Sequence, residues 1–148
     1  MSLAMFMAVG AGGALGAMSR YGVAQLVGGG LFGIAGPMAT LVVNVAGSSL
    51  MGAIAGGIAA GISLPEAWRG FIAVGFLGAL TTFSSFALDT GQLAARQGMA
   101  MTALYVGLSV GLSLAAFFAT QALVTAFLGR MPTLSLIHIS EPTRRPII

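Results

Sequence analysis

Apolar residues run along this chain in four long stretches, separated by short breaks that hold most of its glycines, prolines and arginines. The first extends from about Leu3 to Met18 and can continue past Arg20 through Tyr21–Val27. A glycine-rich connection from Gly28 to Pro37 follows, and the second stretch covers Met38 to about Ile62. Ser63 to Arg69 reads as an interfacial turn that places Trp68 at headgroup level. Within it, Ser63 is placed to cap a short helical turn that has Pro65 in its first positions. The third stretch covers Gly70 to about Leu93, and the fourth Met99 to about Leu128, closed by Gly129 and Arg130. About 20 apolar residues are what a helix needs to cross the hydrocarbon of a bilayer. The pattern predicts an all-α membrane protein with four transmembrane helices.

The third stretch carries an irregularity at its centre. Arg69 and Arg96, which bracket it, would lie about 40 Å apart on a helix, close to the full bilayer thickness. Gly78 then falls near the midplane and is followed by Thr81-Thr82-Phe83-Ser84-Ser85-Phe86. Glycine loosens a helix, and Ser/Thr hydroxyls bond to freed carbonyls. Irregular backbone at that depth is tolerated where it is buried in protein or lines a polar cavity. A broken third helix, with a functional centre at the break, is the expectation.

Composition sharpens the class. Charged residues are only 6% of the chain and hydrophobic ones 57%, too few charges to cover the surface of a soluble domain. The net charge of +3 comes from scattered arginines with no basic stripe, so nucleic acid is not an expected partner. The absence of cysteine removes disulfides, thiolate nucleophiles and thiolate metal sites. A signal peptide is the rival reading of the first stretch, but no basic segment precedes it.

Residues 1–131 read as one four-helix transmembrane unit, and residues 132–148 as a non-native, disordered tail. From about Thr133 the Ala/Gly/Met/Leu style gives way to a text that resembles out-of-frame vector or adapter sequence. Setting that stretch aside removes His138, the one histidine, together with Arg144 and Arg145. The remaining arginines follow one span each: Arg20, Arg69, Arg96 and Arg130. With alternating span ends, two of them fall on each side of the membrane. Basic residues normally set orientation by their excess on the cytoplasmic side. The bland reading of a tie is that the chain has few charges. The sharper reading is insertion both ways up, giving antiparallel dimers.

Small residues recur every four positions in Ala4, Ala8, Gly12 and Gly16, in Ser48, Gly52, Gly56 and Ala60, and in Ala103, Gly107, Gly111 and Ala115. Such ridges let membrane helices approach closely, and they say little about function. Polar residues within the spans say more. Asn44, inside the second span, marks either an interhelical hydrogen bond or a pathway. Tyr105, Ser109 and Ser113 share one face of the fourth span, although serines there commonly bond back to their own i−4 carbonyls. Phe83 and Phe86 share a face and read as core when taken alone. Their electropositive ring edges can nonetheless meet an anion.

Three stretches carry a resemblance: Gly12–Ala17 with Ser19-Arg20-Tyr21, Thr40–Ser48, and Gly75–Phe86. In order and spacing they resemble the Fluc/CrcB fluoride channels, over about Leu3 to Leu128; the third stretch is the most specific. The resemblance implies an antiparallel, dual-topology homodimer in the bacterial inner membrane that exports fluoride passively through two pores. It implies a structural Na⁺ at the dimer centre, held by the carbonyls of Gly78 and Thr81. Phe83 and Phe86 would line the fluoride path, Asn44 would donate amide hydrogens, and Tyr105, Ser109 and Ser113 would form a polar track. Arg20 would raise the local anion concentration near a vestibule. Ala79 and Ser85 depart from frequent family residues without removing a carbonyl ligand.

Two other classes compete with a channel. A four-helix proton-coupled drug exporter needs a titratable carboxylate within a span. Glu66 lies in a loop and Asp89 toward the end of the third span, so that acid is not expected. A non-transporting scaffold would explain the ridges but neither the break nor Asn44. Without cysteine or a usable histidine, few catalytic constellations remain, and an enzyme is not expected.

Overall fold

A computed structural model describes residues 2–28 and 35–130, and all the regular structure among them is helical. Helix α1 spans Leu3–Gly28, α2 Ala35–Ala59, α3 Glu66–Arg69, α4 Gly78–Leu80, α5 Phe83–Gln97 and α6 Met99–Gly129. Between α3 and α4 the backbone is π-wound over Gly70–Leu77. Residues 66–97 thus make one discontinuous span, and the molecule has four spans long and apolar enough to cross a membrane. The reading of residues 132–148 as a tail, and most of the glycine-rich connection, lie outside the described residues.

Several boundaries differ from the sequence expectation. The first span is one helix that runs through Arg20. The second begins at Ala35, so Pro37 sits in its first turn, where a missing N–H costs nothing because those donors have no intrahelical partner. The third begins at Glu66, inside the stretch read as a turn. Pro65 precedes it, and no side chain caps it. Trp68 is 57% exposed and meets the Phe71 ring edge-on at 6.0 Å, as an interfacial aromatic would. At the other end of the span, Gly98 alone joins α5 to α6. Its φ of 83° is a left-handed conformation that side chains beyond Cβ resist.

Close packing comes from backbone approach rather than from large side chains. In α1, a Cβ at Gly12 would meet the Phe71 carbonyl, and one at Gly16 the Phe76 carbonyl, so the π-wound segment lies directly on this face. In α2, Gly52 and Gly56 sit against the Phe117 and Gln121 carbonyls of α6, and Thr125 adds a hydroxyl bond to the Gly56 carbonyl at 3.2 Å. Two of the three ridges are thus consumed within the subunit. The third is not: Gly107 and Gly111 have nothing within 4 Å of a built Cβ. The buried core is small, consisting of Val43, Leu77 and Leu80 with Val23, Met51, Ile54, Ile72 and Phe76 packed around it. It holds the end of α4 against α2 and fixes where the third span breaks.

Candidate functional site

The break falls at Thr81 and Thr82, three residues beyond Gly78. Gly78 is itself helical (φ −63°, ψ −32°), whereas Thr81 (φ −78°, ψ 151°) and Thr82 (φ −150°, ψ 119°) are extended. The pair of β-branched threonines supports this conformation, since branching at Cβ favours extended backbone over helix. The hydroxyls then rebuild the lost bonding. Thr81 Oγ1 donates to the Leu77 carbonyl at 2.9 Å. Thr82 caps α5, accepting from the Ser85 N–H at 3.2 Å, and its hydroxyl donates to Ser85 Oγ at 3.1 Å.

Asn44 reaches the break from α2. Its Oδ1 accepts from the Thr82 N–H at 2.8 Å, and its Nδ2 donates to the Thr82 carbonyl at 3.2 Å. In an unbroken helix that N–H would go to the Gly78 carbonyl. The Gly78 carbonyl thus loses its usual i+4 donor near the C-terminal end of a helical segment, where partial negative charge accumulates.

Three cavities adjoin at this point. One of about 330 Å³ is lined by Asn44, Ser48, Thr82, Phe83, Phe86, Ser109 and Ser113. A second, of about 540 Å³, holds Arg20, Thr40, Ser85 and Asp89, and Thr82 borders both. The third, of about 290 Å³, is lined by Gly47, Gly78, Thr81 and Ser113, and shares Thr81 and Ser113 with the first. The structure thus brings six of the expected residues to one cavity, Thr81 among them, and places Arg20 in the neighbouring one. Tyr105 stands behind. Its ring packs on Phe86 at 5.6 Å, and Phe86 packs on Phe83 at 5.5 Å, so the three rings form a ladder from α6 to the molecular surface.

The serines do not bond back along their helix. Ser109 Oγ and Ser113 Oγ are buried and have no hydrogen-bond partner, whereas Thr90 and Thr102 do bond to their i−4 carbonyls. Two unpaired hydroxyls beside a polar break are costly unless something visits them. Arg20 Nε, facing the larger cavity, is also buried without a partner.

Sequence reasoning weighs Asp89 only as an in-span acid, sets it aside for its place toward the end of the third span, and gives it no part in the site. It is buried (7% exposed), lines the Arg20 cavity and accepts from the Tyr105 hydroxyl at 3.3 Å. Its spacing from Phe86, one helical turn on, was the available signal: it continues the face that carries the aromatic pair. Thr82 was likewise quoted in a motif without a role, yet it borders two cavities and caps α5.

Among the described residues no group of three or more His, Cys, Asp or Glu is placed to hold a metal. The donors at the break suit a hard cation such as Na⁺, which takes oxygen ligands including backbone carbonyls. Gly78 is exposed and lines a cavity with Thr81.

Comparison with known sequences agrees with this architecture. A fluoride-specific ion channel of Rhodospirillum centenum is 47% identical over 124 residues, covering 81% of this chain and 94% of that protein. A fluoride-specific ion channel of Nitrobacter winogradskyi is 47% identical over 122 residues, covering 80% and 94%. One of Aeromonas salmonicida is 43% identical over 118 residues, covering 80% and 94%. The sequence profile of the CrcB-like proteins, described as Camphor Resistance (CrcB), matches residues 7–121, a range that takes in α1, the break and most of α6. The chain belongs to the CrcB-like protein family.

Proposed function

We propose that this chain is a subunit of a fluoride-selective channel, a multi-pass protein of the bacterial inner membrane that lets fluoride leave the cell passively. The observation that carries the reading is the convergence of Asn44, Phe83, Phe86 and the two unpartnered hydroxyls of Ser109 and Ser113 on one cavity at the break. Fluoride is small and strongly hydrated, so its water must be replaced by several donors in a narrow path. A fixed cation within reach would hold it too tightly to conduct. Hydroxyls, an amide and phenyl edges attract it without trapping it. Arg20, one cavity away, concentrates anions ahead of that path.

The working unit in this reading is an antiparallel homodimer. Phe83 is 80% exposed on the lone subunit and the α6 ridge is uncovered, both consistent with a second copy seated there. Two breaks crossing on a two-fold axis would bring the Gly78 and Thr81 carbonyls of each copy around one structural Na⁺. The ion would supply a fixed positive charge at the dimer centre, complementary to the ends of the broken helices. The balance of Arg20 and Arg96 against Arg69 and Arg130 leaves orientation undecided, as dual topology requires.

A proton-coupled exporter is no longer disfavoured by a missing acid, because Asp89 is buried within the third span. It is disfavoured by relatives named for fluoride conduction. The deciding experiment is efflux from liposomes loaded with fluoride or chloride, each read by its own electrode. Fast fluoride release with little chloride release, and no dependence on a proton gradient, is expected. Release that requires a proton gradient would return the exporter.

A further inference from the structure

Asn44 meets Thr82 on both sides of its Cα, accepting at 2.8 Å from the N–H of the Thr81–Thr82 peptide and donating at 3.2 Å to the C=O of the Thr82–Phe83 peptide. A carboxamide used in this way stands in for a neighbouring backbone segment. It partners the one residue in the span whose N–H has left the helix and whose extended φ and ψ place it between two helical segments. A carboxamide nitrogen carries two hydrogens. One is committed to the Thr82 carbonyl, and the single oxygen is committed to the Thr82 N–H, so at most one hydrogen is left for an ion.

We infer that Asn44 is a positioning residue, acting on the pathway through the two peptides that flank Thr82 rather than chiefly by giving its hydrogens to the anion. Thr82, with both of its flanking peptide planes held by Asn44, sets three things at once. Its side-chain oxygen starts α5 by capping Ser85 N–H. The next residue is Phe83, whose ring begins the aromatic ladder. The preceding residue is Thr81, which lines the neighbouring cavity with Gly78 and whose carbonyl shares a peptide plane with the Thr82 N–H. Rotation of either of these two peptides would misdirect the groups attached to it, although Asn44 touches none of the three by an observed hydrogen bond. The inference rests on the channel reading for what is positioned, but not for the geometry itself.

The test separates the two roles by editing the backbone instead of the side chain. Incorporating the α-hydroxy analogue of threonine at position 82 replaces its N–H by an ester oxygen and leaves the Asn44 amide intact. Fluoride efflux from the whole chain in liposomes is expected to fall at least tenfold, and Asn44→Ala is expected to lower it to the same extent. The second readout is the fluorine resonance of 4-fluorophenylalanine at position 83, recorded in lipid nanodiscs without fluoride. It is expected to shift both in Asn44→Ala and in the ester variant. Ester flux within twofold of the unmodified protein, or an unmoved resonance in Asn44→Ala, would overturn the inference and return Asn44 to the role of direct donor. If the ester variant does not fold, the resonance in Asn44→Ala still decides. Failure of the unmodified protein to release fluoride would sink the channel reading alone, because the resonance is measured without transport.

Discussion

The Tyr105 hydroxyl donates to Asp89 Oδ2 at 3.3 Å across the contact between α5 and α6, and both residues are buried. A phenol has one proton to give, so in this arrangement Tyr105 offers a passing anion its ring and not its O–H. Tyr105→Phe keeps the ring on Phe86 and removes the donor. Fluoride efflux is expected to stay within about threefold of the unmodified protein. Thermal unfolding should reveal a loss of about 1–3 kcal/mol from leaving a buried acceptor without its partner. A hundredfold loss of efflux at unchanged stability would mean that the hydroxyl turns away from Asp89 to meet the ion.

Glycine content alone does not say which glycines matter, but the packing does. A Cβ at Gly16 would collide with the Phe76 carbonyl of the π-wound segment, and backbone cannot rotate away as a side chain can. Gly16→Ala is therefore expected to destabilise the subunit by about 1–3 kcal/mol. Gly10, in the same helix, has nothing within 4 Å of a built Cβ. Gly10→Ala should be neutral, or stabilising by up to about 1 kcal/mol through helix propensity. Yields of folded protein from the two variants, compared after detergent extraction, check the contrast; equal yields would mean that α1 does not lie on this face.

Much of this was legible in the sequence because the membrane constrains it so strongly. Apolar length predicted four spans, and the paired threonines after Gly78 predicted a broken third helix. The break lies at those threonines, as their pattern predicts, and not at the glycine. Glycine advertises flexibility, but Gly78 stays helical, and the β-branched pair with Asn44 across from it takes up the extended backbone. The Asn44–Thr82 pair joins residues 38 positions apart, and nothing local in either helix specifies it. The π winding over Gly70–Leu77 was not legible either, because Gly70 and Gly75 fit an ordinary small-residue ridge equally well. Asp89 is easily discounted for its position in the sequence, yet it is buried and bonded to the Tyr105 hydroxyl of α6, a partner 16 positions away that no local pattern specifies.

Phe83 is the aromatic residue on which a selectivity test should fall. It is 80% exposed on the subunit, so its ring contributes little to the subunit's own packing. Phe83→Ile preserves apolar bulk and removes the electropositive ring edge. Efflux is expected to fall at least about tenfold, equivalent to about 1.4 kcal/mol on the barrier, with the folded subunit retained. Unchanged efflux would remove the Phe83 ring from the path.

The α6 ridge and the arginine balance make the assembly testable in two independent ways. Ala103, Gly107, Gly111 and Ala115 are all exposed, and the two glycines face open space within the subunit. If a second copy packs on them, Gly107→Trp should convert dimers to monomers in detergent, read by light scattering after gel filtration. On a lipid-facing ridge the same change would alter nothing. Orientation needs a different probe, and the absence of native cysteine supplies the background for one. Gln97→Cys places a thiol at the end of α5, next to the Gly98 junction. A membrane-impermeant maleimide applied to sealed cells should label about half of the protein, and the rest only after the membrane is opened. That even split follows from the tie of Arg20 and Arg96 against Arg69 and Arg130, with no excess on either side to bias insertion. Complete labelling from one side, or none until lysis, would establish a single orientation, and an antiparallel dimer could not form from such chains.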